Sequence, residues 1–296
     1  MLQETEPAAK GGGWLGVGLW AVALVLAVSA MMFQERTGPT KELRGSFTIG
    51  GNEYGYELSR SGHSSEDERV ALPHPSGVTG ALLYKRYKTD DELTSLPLRA
   101  EGDELVAELP RQPAAGKLEY TIVLETVDGS RIRVPDKQET VVIRFKDPVP
   151  AYFLAPHIAC MVLVVLFGIR AGLSALVQPR TMVRYAWISL GLITLGGMVL
   201  GPIVQKYAFG ALWTGIPFGY DLTDNKTLLM WLAWLIACAI LLPRWRWTEA
   251  VRRGAVVAAV LVMMVVYLIP HSAWGSELDY GQLDQGVPAS EAVTQG

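Results

Sequence analysis

Four histidines occur in the chain, and two of them stand where imidazole chemistry could be used. His157 follows Pro156 near the start of one long apolar run, and His271 follows Pro270 at the end of another. An imidazole offers one ring nitrogen to a metal and the other to a backbone or carboxylate partner. Two imidazoles facing one another could supply both axial ligands of a haem. Between them lies the stretch 205–226, in which Tyr207, Phe209, Trp213, Phe218 and Tyr220 alternate with Gly210, Gly215, Gly219 and Pro217. Glycines let backbone approach a flat ligand, and aromatic faces can cover one. Lys206 and Lys226 could pair with its carboxylates. The candidate cofactor-binding set is therefore His157, His271, Trp213, Phe218, Tyr220, Lys206 and Lys226. Cys160 and Met161 share a helix face with His157, and a soft-metal site is the alternative use of that face.

The remaining chemistry is sparse. His63 lies in the Ser/Gly/acidic stretch 61–69 and His74 lies between Pro73 and Pro75, neither at metal-ligand spacing from a second donor. No Walker A loop, His-Glu-x-x-His or Gly-x-Ser-x-Gly occurs, so no catalytic residue and no protein-ligated metal site is assigned. The formal charge is −3 and no basic stripe with interleaved aromatics appears, which argues against a nucleic-acid partner.

The elements that must position these residues are apolar. Half of the 296 residues are hydrophobic, and they concentrate in the runs 14–33, 152–177, 185–204, 227–242 and 255–269. Runs of about 20 apolar residues predict membrane helices. The last two runs fall short of the hydrocarbon layer, and Trp245, Trp247, Arg252 and Arg253 suit an interface that makes up the difference. Val28-Ser29-Ala30 loosely matches a signal-peptidase site, but the first run is long and its flank is not basic, so an uncleaved signal anchor is expected. Arg180 and Arg184, then Arg244, Arg246, Arg252 and Arg253, mark the inner loops; the stretch 205–226 has two lysines, and the acidic tail 272–296 has no Lys or Arg. The positive-inside rule then puts the N-terminus in the cytoplasm, with the soluble domain and the tail outside the inner (plasma) membrane. Arg170 is expected to snorkel to the inner surface. Gly168-x-x-x-Gly172 and Gly197-x-x-x-Gly201 are candidate close-packing faces. The tail 272–296 reads as acidic and disordered.

From residue 44 to 148 the period changes to two. Leu118, Tyr120, Ile122 and Leu124 alternate with Glu119, Thr121, Val123 and Glu125, while Val141, Ile143 and Phe145 alternate with Val142, Arg144 and Lys146. That alternation predicts half-buried antiparallel strands. Asp128-Gly129 signals a hairpin. Further strands are expected at 45–50, 53–58, 78–87, 93–99, 104–109 and 130–134, and their spacing resembles an Ig- or fibronectin-type β-sandwich. The predicted fold class is thus a five-helix membrane protein with an inserted extracytoplasmic antiparallel β-sandwich.

Residues 157–271 also resemble the haem-handling membrane proteins of cytochrome c assembly. These carry a tryptophan-rich external loop flanked by a histidine two helices earlier and another at the end of the next helical pair. Gly210-Ala-Leu-Trp213, Phe218-Gly219 and Asp224-Asn-Lys-Thr227 follow a similar order, with His157 and His271 in the flanking positions. Phe218 stands where a tryptophan is expected, and Asn225-Lys226-Thr227 lacks the usual Pro and Glu. The resemblance implies haem as cofactor, in electron transfer or cytochrome assembly. The alternative is a non-enzymatic accessory or scaffold subunit, partnered by lipid and by one or more proteins, that docks an external partner through its β-domain. Independently of either, Thr223 or Asp224 is expected to cap the helix that follows the loop.

Overall fold

The computed structural model describes residues 12–38, 40–136, 140–244, 246–270 and 276–294; His271 and Trp245 lie outside them. The chain divides into two compact units. One contains the described residues up to Glu35 together with Leu154–Gly201 and Lys226–Ile269. The other contains Arg36–Phe153, Pro202–Asn225 and the described residues from Pro270 onward.

Among the described residues, five helical stretches are long and apolar enough to cross a membrane. They are α1 (Gly12–Thr37), α2 (Ala151–Val177), the stretch Pro179–Phe209, α5 (Leu222–Leu241) and α6 (Glu249–Leu268). The third comprises α3 (Pro179–Ile193), a π-helical segment (Thr194–Leu200) and α4 (Gly201–Phe209). Helices α5 and α6 each have 20 residues and so rise about 30 Å, which removes the shortfall expected from their apolar runs. Both gain length at polar N-terminal turns that hydropathy leaves out. Thr248 caps α6 by accepting from Val251 N, with Glu249 in the first turn. Near the same end of α6, Arg253 donates to the carbonyls of Ala175 (2.5 Å) and Leu176 (2.8 Å), the last turn of α2. A guanidinium there meets both the orphan carbonyls and the negative end of the helix dipole.

The helical core gathers Ala23 and Ala27 of α1 with Val164, Ile193, Trp234 and Met263. Gly168 and Gly172 do mark close faces: a Cβ on Gly168 would meet Met263 Sδ at 2.5 Å, and one on Gly172 would meet Val260 at 3.1 Å. These two contacts run in opposite senses along α2 and α6, so the pair is antiparallel. Arg170 departs from expectation. It is 2% exposed, within the helical unit rather than at its surface. Its guanidinium lies over the rings of Tyr185 (4.7 Å) and Trp20 (5.6 Å), and Nη1 donates to Ser174 Oγ. Aromatic faces offset the charge that snorkelling would have hydrated.

The other unit is built on sheets. Among the described residues, eleven strands precede α2: β1 (Leu43–Ile49), β2 (Asn52–Leu58), β3 (Ser61–His63), β4 (Glu68–Pro73), β5 (Thr79–Arg86), β6 (Thr94–Pro97), β7 (Arg99–Glu101), β8 (Glu104–Leu109), β9 (Lys117–Glu125), β10 (Arg131–Val134) and β11 (Val141–Lys146). They form a β1–β2 ribbon, a three-stranded sheet in the order β4-β8-β7, and a sheet in the order β3-β11-β9-β5-β6 with β10 also on β9. The β9–β10 hairpin turns at Asp128-Gly129 as expected, with Gly129 at φ +81°. The pairing of β3 with β11 is parallel, a departure from the all-antiparallel expectation. Strand β4 lay hidden because Pro73 and Pro75 read as loop.

The period-two residues do face inward. Leu118, Ile122 and Leu124 are fully buried, as are Ile143 and Phe145, and they share one hydrophobic core with Phe47, Leu58, Leu72 and Leu109 from the other two sheets. Each such side chain contributes about 1.5–3 kcal/mol by leaving water.

The tail also departs from expectation, because residues 276–294 are folded. They form β12 (Glu277–Leu278), α7 (Tyr280–Asp284) and β13 (Val293–Thr294), with Leu278, Tyr280 and Ala292 buried together. Composition misleads here because Leu278, Tyr280 and Ala292 share a small core, and Glu277 and Asp284 pair with Lys117, Lys88 and Arg86.

Gly80 tests the strand packing, since a Cβ there would sit 2.6 Å from the carbonyl oxygen of Val123 in the paired strand β9. Gly80→Ala should cost about 1–3 kcal/mol, read as a lowered Tm of the detergent-solubilised chain. Gly55→Ala, with nothing nearer than 4.0 Å, should stay within about 0.5 kcal/mol.

Candidate functional site

In the helical unit the chemistry collects at one end. The π-helical segment begins where Thr194 Oγ1 bonds back to the carbonyl of Leu190 (2.7 Å) and receives Trp231 Nε1 (3.0 Å). Gly196 and Gly197 follow. A Cβ on Gly196 would lie 2.5 Å from Cys160 Cβ, and one on Gly197 would lie 2.7 Å from Thr227 Cγ2. Both glycines therefore let the widened turn sit against α2 on one side and α5 on the other. Such π segments recur at functional sites.

His157 reads this turn directly. Its Nδ1 lies 2.9 Å from the carbonyl oxygen of Gly196, which also accepts the N–H of Gly201. A carbonyl oxygen can only accept, so in this contact Nδ1 carries the proton and Nε2 is the ring nitrogen not engaged by the carbonyl. This is the arrangement in which a backbone carbonyl fixes the tautomer and orientation of a metal-ligating histidine. Cys160 and Met161 stand beside the same glycine, with Met161 Sδ 3.5 Å from a Cβ placed there. At this end too, Lys226 Nζ donates to the carbonyl of Ile269 (2.9 Å), which also accepts from Gln34 Nε2 (3.1 Å). The start of α2, the start of α5 and the end of α6 thus meet at one end of the helical unit.

The other unit holds Lys206, Trp213, Phe218 and Tyr220. The loop is shorter than the expected 205–226, because α4 takes residues up to Phe209 and α5 begins at Leu222. Gly210, at φ +86°, ends α4 with its N–H on the carbonyl of Lys206. Lys206 is exposed on α4, and Phe218 and Tyr220 are exposed at 75% and 79%. Trp213 is half-buried and donates Nε1 to the carbonyl of Ile216 (3.1 Å).

The loop closes on a buried polar network that the sequence reading missed. Asp221, not Thr223 or Asp224, caps α5: its Oδ1 accepts from the N–H groups of Thr223 (2.7 Å) and Asp224 (3.2 Å). Its other oxygen accepts from Ser276 N (2.7 Å) and Oγ (3.0 Å). Asp224 Oδ2 instead takes Thr214 N at 2.6 Å. Arg144 Nη2 donates to Ser276 O (2.6 Å), and its guanidinium lies 3.9 Å over the ring of Phe209. Arg144 was expected on the polar face of β11, and the tail and Phe209 cover it to 8% exposure. That burial lowers its pKa to about 10. The available signal was Asp221-x-x-Asp224 at a helix start. Its partner Ser276 is too distant in sequence for any motif to join them.

Among the described residues no group of three or more His, Cys, Asp or Glu could hold a metal ion. His63 is exposed on β3, and His74 is half-buried with its backbone N–H on Asp103 O. What the described residues offer to a cofactor is one oriented imidazole nitrogen.

Two outcomes follow from the network. Asp221→Ala removes a cap and strands the N–H of buried Ser276, so it should cost about 2–4 kcal/mol in thermal unfolding. The tail should also loosen in acid. Burial pushes the Glu277 carboxyl up, but hydrogen bonds from Lys117 and Lys88 outweigh it and leave the pKa lowered; Arg86 lowers that of Asp284. Their stabilisation is complete above the ordinary carboxylate range and is lost as pH falls through the lowered values. Amide exchange at 276–294, corrected for its intrinsic pH dependence, should rise over that window.

No protein family, no curated protein and no solved structure matches this chain, so the arrangement of its own residues carries the functional reading.

Proposed function

We propose that this chain is a multi-pass protein of the inner membrane that presents a haem ligand at its outer face, in electron transfer or in haem handling for cytochrome assembly. The observation that carries the reading is the His157 Nδ1 contact with the π-turn carbonyl of Gly196 at 2.9 Å. It leaves Nε2 as a lone-pair donor whose direction is set by the backbone, which suits an axial ligand. His271 is assigned as the second ligand. It follows Ile269 by two residues in the sequence, just after the end of α6. Trp213, Phe218 and Tyr220 are assigned to cover the cofactor, and Lys206 and Lys226 to meet its carboxylates. Haem, when bound, would supply the redox chemistry; the chain's own residues would bind and orient it.

In the same reading α1 is a retained signal anchor, and the three sheets form an extracytoplasmic β-sandwich carried outside with the tail. The arginines at 180, 184, 244, 246, 252 and 253 support that orientation. The packing of Ala23 and Ala27 into the helical core supports retention of α1.

The test is the optical spectrum of protein purified from haem-replete cells. A Soret band is expected, lost or shifted in His157→Ala and in His271→Ala, with the fold kept as judged by an unchanged Tm. Protein that is folded yet colourless would sink the haem reading. If it then carried a stoichiometric partner through mild detergent, the accessory-subunit role would replace it.

A further inference from the structure

The tail is joined to the rest of its unit by two kinds of contact with different chemistry. Two of its acidic side chains, Glu277 and Asp284, lie on basic groups at or next to the strand ends. Glu277 takes Lys117 Nζ at 2.5 Å and Lys88 Nζ at 2.9 Å, and Asp284 takes Arg86 at 2.7 Å. Tyr280 adds a neutral anchor: its hydroxyl accepts from Lys117 N (3.0 Å) and lies 2.9 Å from Lys117 O. Leu278 N donates to Ala115 O at 3.1 Å.

The residue immediately before this anchored segment is Ser276, and Ser276 holds the loop. Its N–H and hydroxyl bind Asp221, its hydroxyl lies 3.2 Å from Thr214 Oγ1, and its carbonyl is held by Arg144. Thr214 and Asp221 are the two ends of the segment that carries Phe218 and Tyr220, with Trp213 immediately before it, and Asp221 N bonds Thr214 O (3.1 Å) to close it. One buried serine, 1% exposed, thus stands between the anchored tail and the aromatic loop.

We propose that the tail is a releasable strap: its acidic side chains clip onto Arg86, Lys88 and Lys117, and through Ser276 this holds the loop 213–221 in its closed shape. The clip is electrostatic and lies partly at the surface, since Lys88 and Asp284 are each 56% exposed. Ionic strength, or a competing polyanionic surface, therefore weakens it without touching the apolar core. Release removes the donors on Asp221 Oδ2 and lets the loop open. The strap does not depend on what the loop covers.

Hydrogen–deuterium exchange of the full-length chain in neutral detergent tests this. Glu277→Gln combined with Asp284→Asn should speed exchange about tenfold both at 276–294 and at Thr214 and Asp221. Raising salt on the wild type should act in the same direction at both places. Glu104→Gln, which weakens the remote pair with Arg69, should leave the loop unchanged. Faster exchange in the tail with a loop still protected would overturn the proposal, as would no change in the tail. Loss of protection throughout β9 would also overturn it, because the tail would then be part of the β-domain's framework and not a strap upon it.

Discussion

Backbone polar groups removed from water must find partners, and this constraint shapes each departure from regular structure in the chain. The π-helical turn leaves a carbonyl at Gly196 that accepts both the Gly201 N–H and the His157 ring. The first turn of α5 leaves N–H groups that Asp221 takes. The last turn of α2 leaves carbonyls that Arg253 takes. In each case the side chain that satisfies the backbone is also one that chemistry or topology would single out. Function and capping are not alternatives at these positions, since the same hydrogen bond orients the side chain and completes the helix.

Asp221 shows how such a bond couples distant parts of a fold. One carboxylate oxygen serves the helix start and the other serves Ser276, so the cap of α5 and the docking of the tail share a single group. Arg144 closes the set from the strand side, stacked on Phe209. A buried carboxylate of this kind is stable only because all of its lone pairs are used.

Much of the architecture was legible. The apolar runs locate five helices because hydropathy over 20 residues is a strong signal, and the alternation at 118–124 and 141–145 assigns the inward side chains of β9 and β11. Helix ends were less legible: Leu222–Asn225 and Glu249–Gly254 are helical, yet their polarity removes them from any apolar run. The π turn has no periodic signature, and only the Gly196-Gly197 pair hints at it. The candidate site was half visible. His157 could be named from its place at a helix start, but its Gly196 partner could not, and the Asp221–Ser276–Arg144 network joins residues up to 132 positions apart. The tail was misread because acidic composition suggests solvation when the matching bases lie on strands far upstream.

The parallel pairing of β3 with β11, and the later arrival of the tail upon β11, have a consequence for synthesis. All eleven strands leave the ribosome before α2, so their hydrophobic core can assemble while most of the apolar helices are still unmade. Arg86 finds Asp91 within that early set, but Lys117 Nζ and the Nη2 of Arg144 take their partners, Glu277 and the carbonyl of Ser276, from the tail. Those partners are synthesised only after α2, α3, α5 and α6, so this corner of the β-domain is the last part of its unit to be completed.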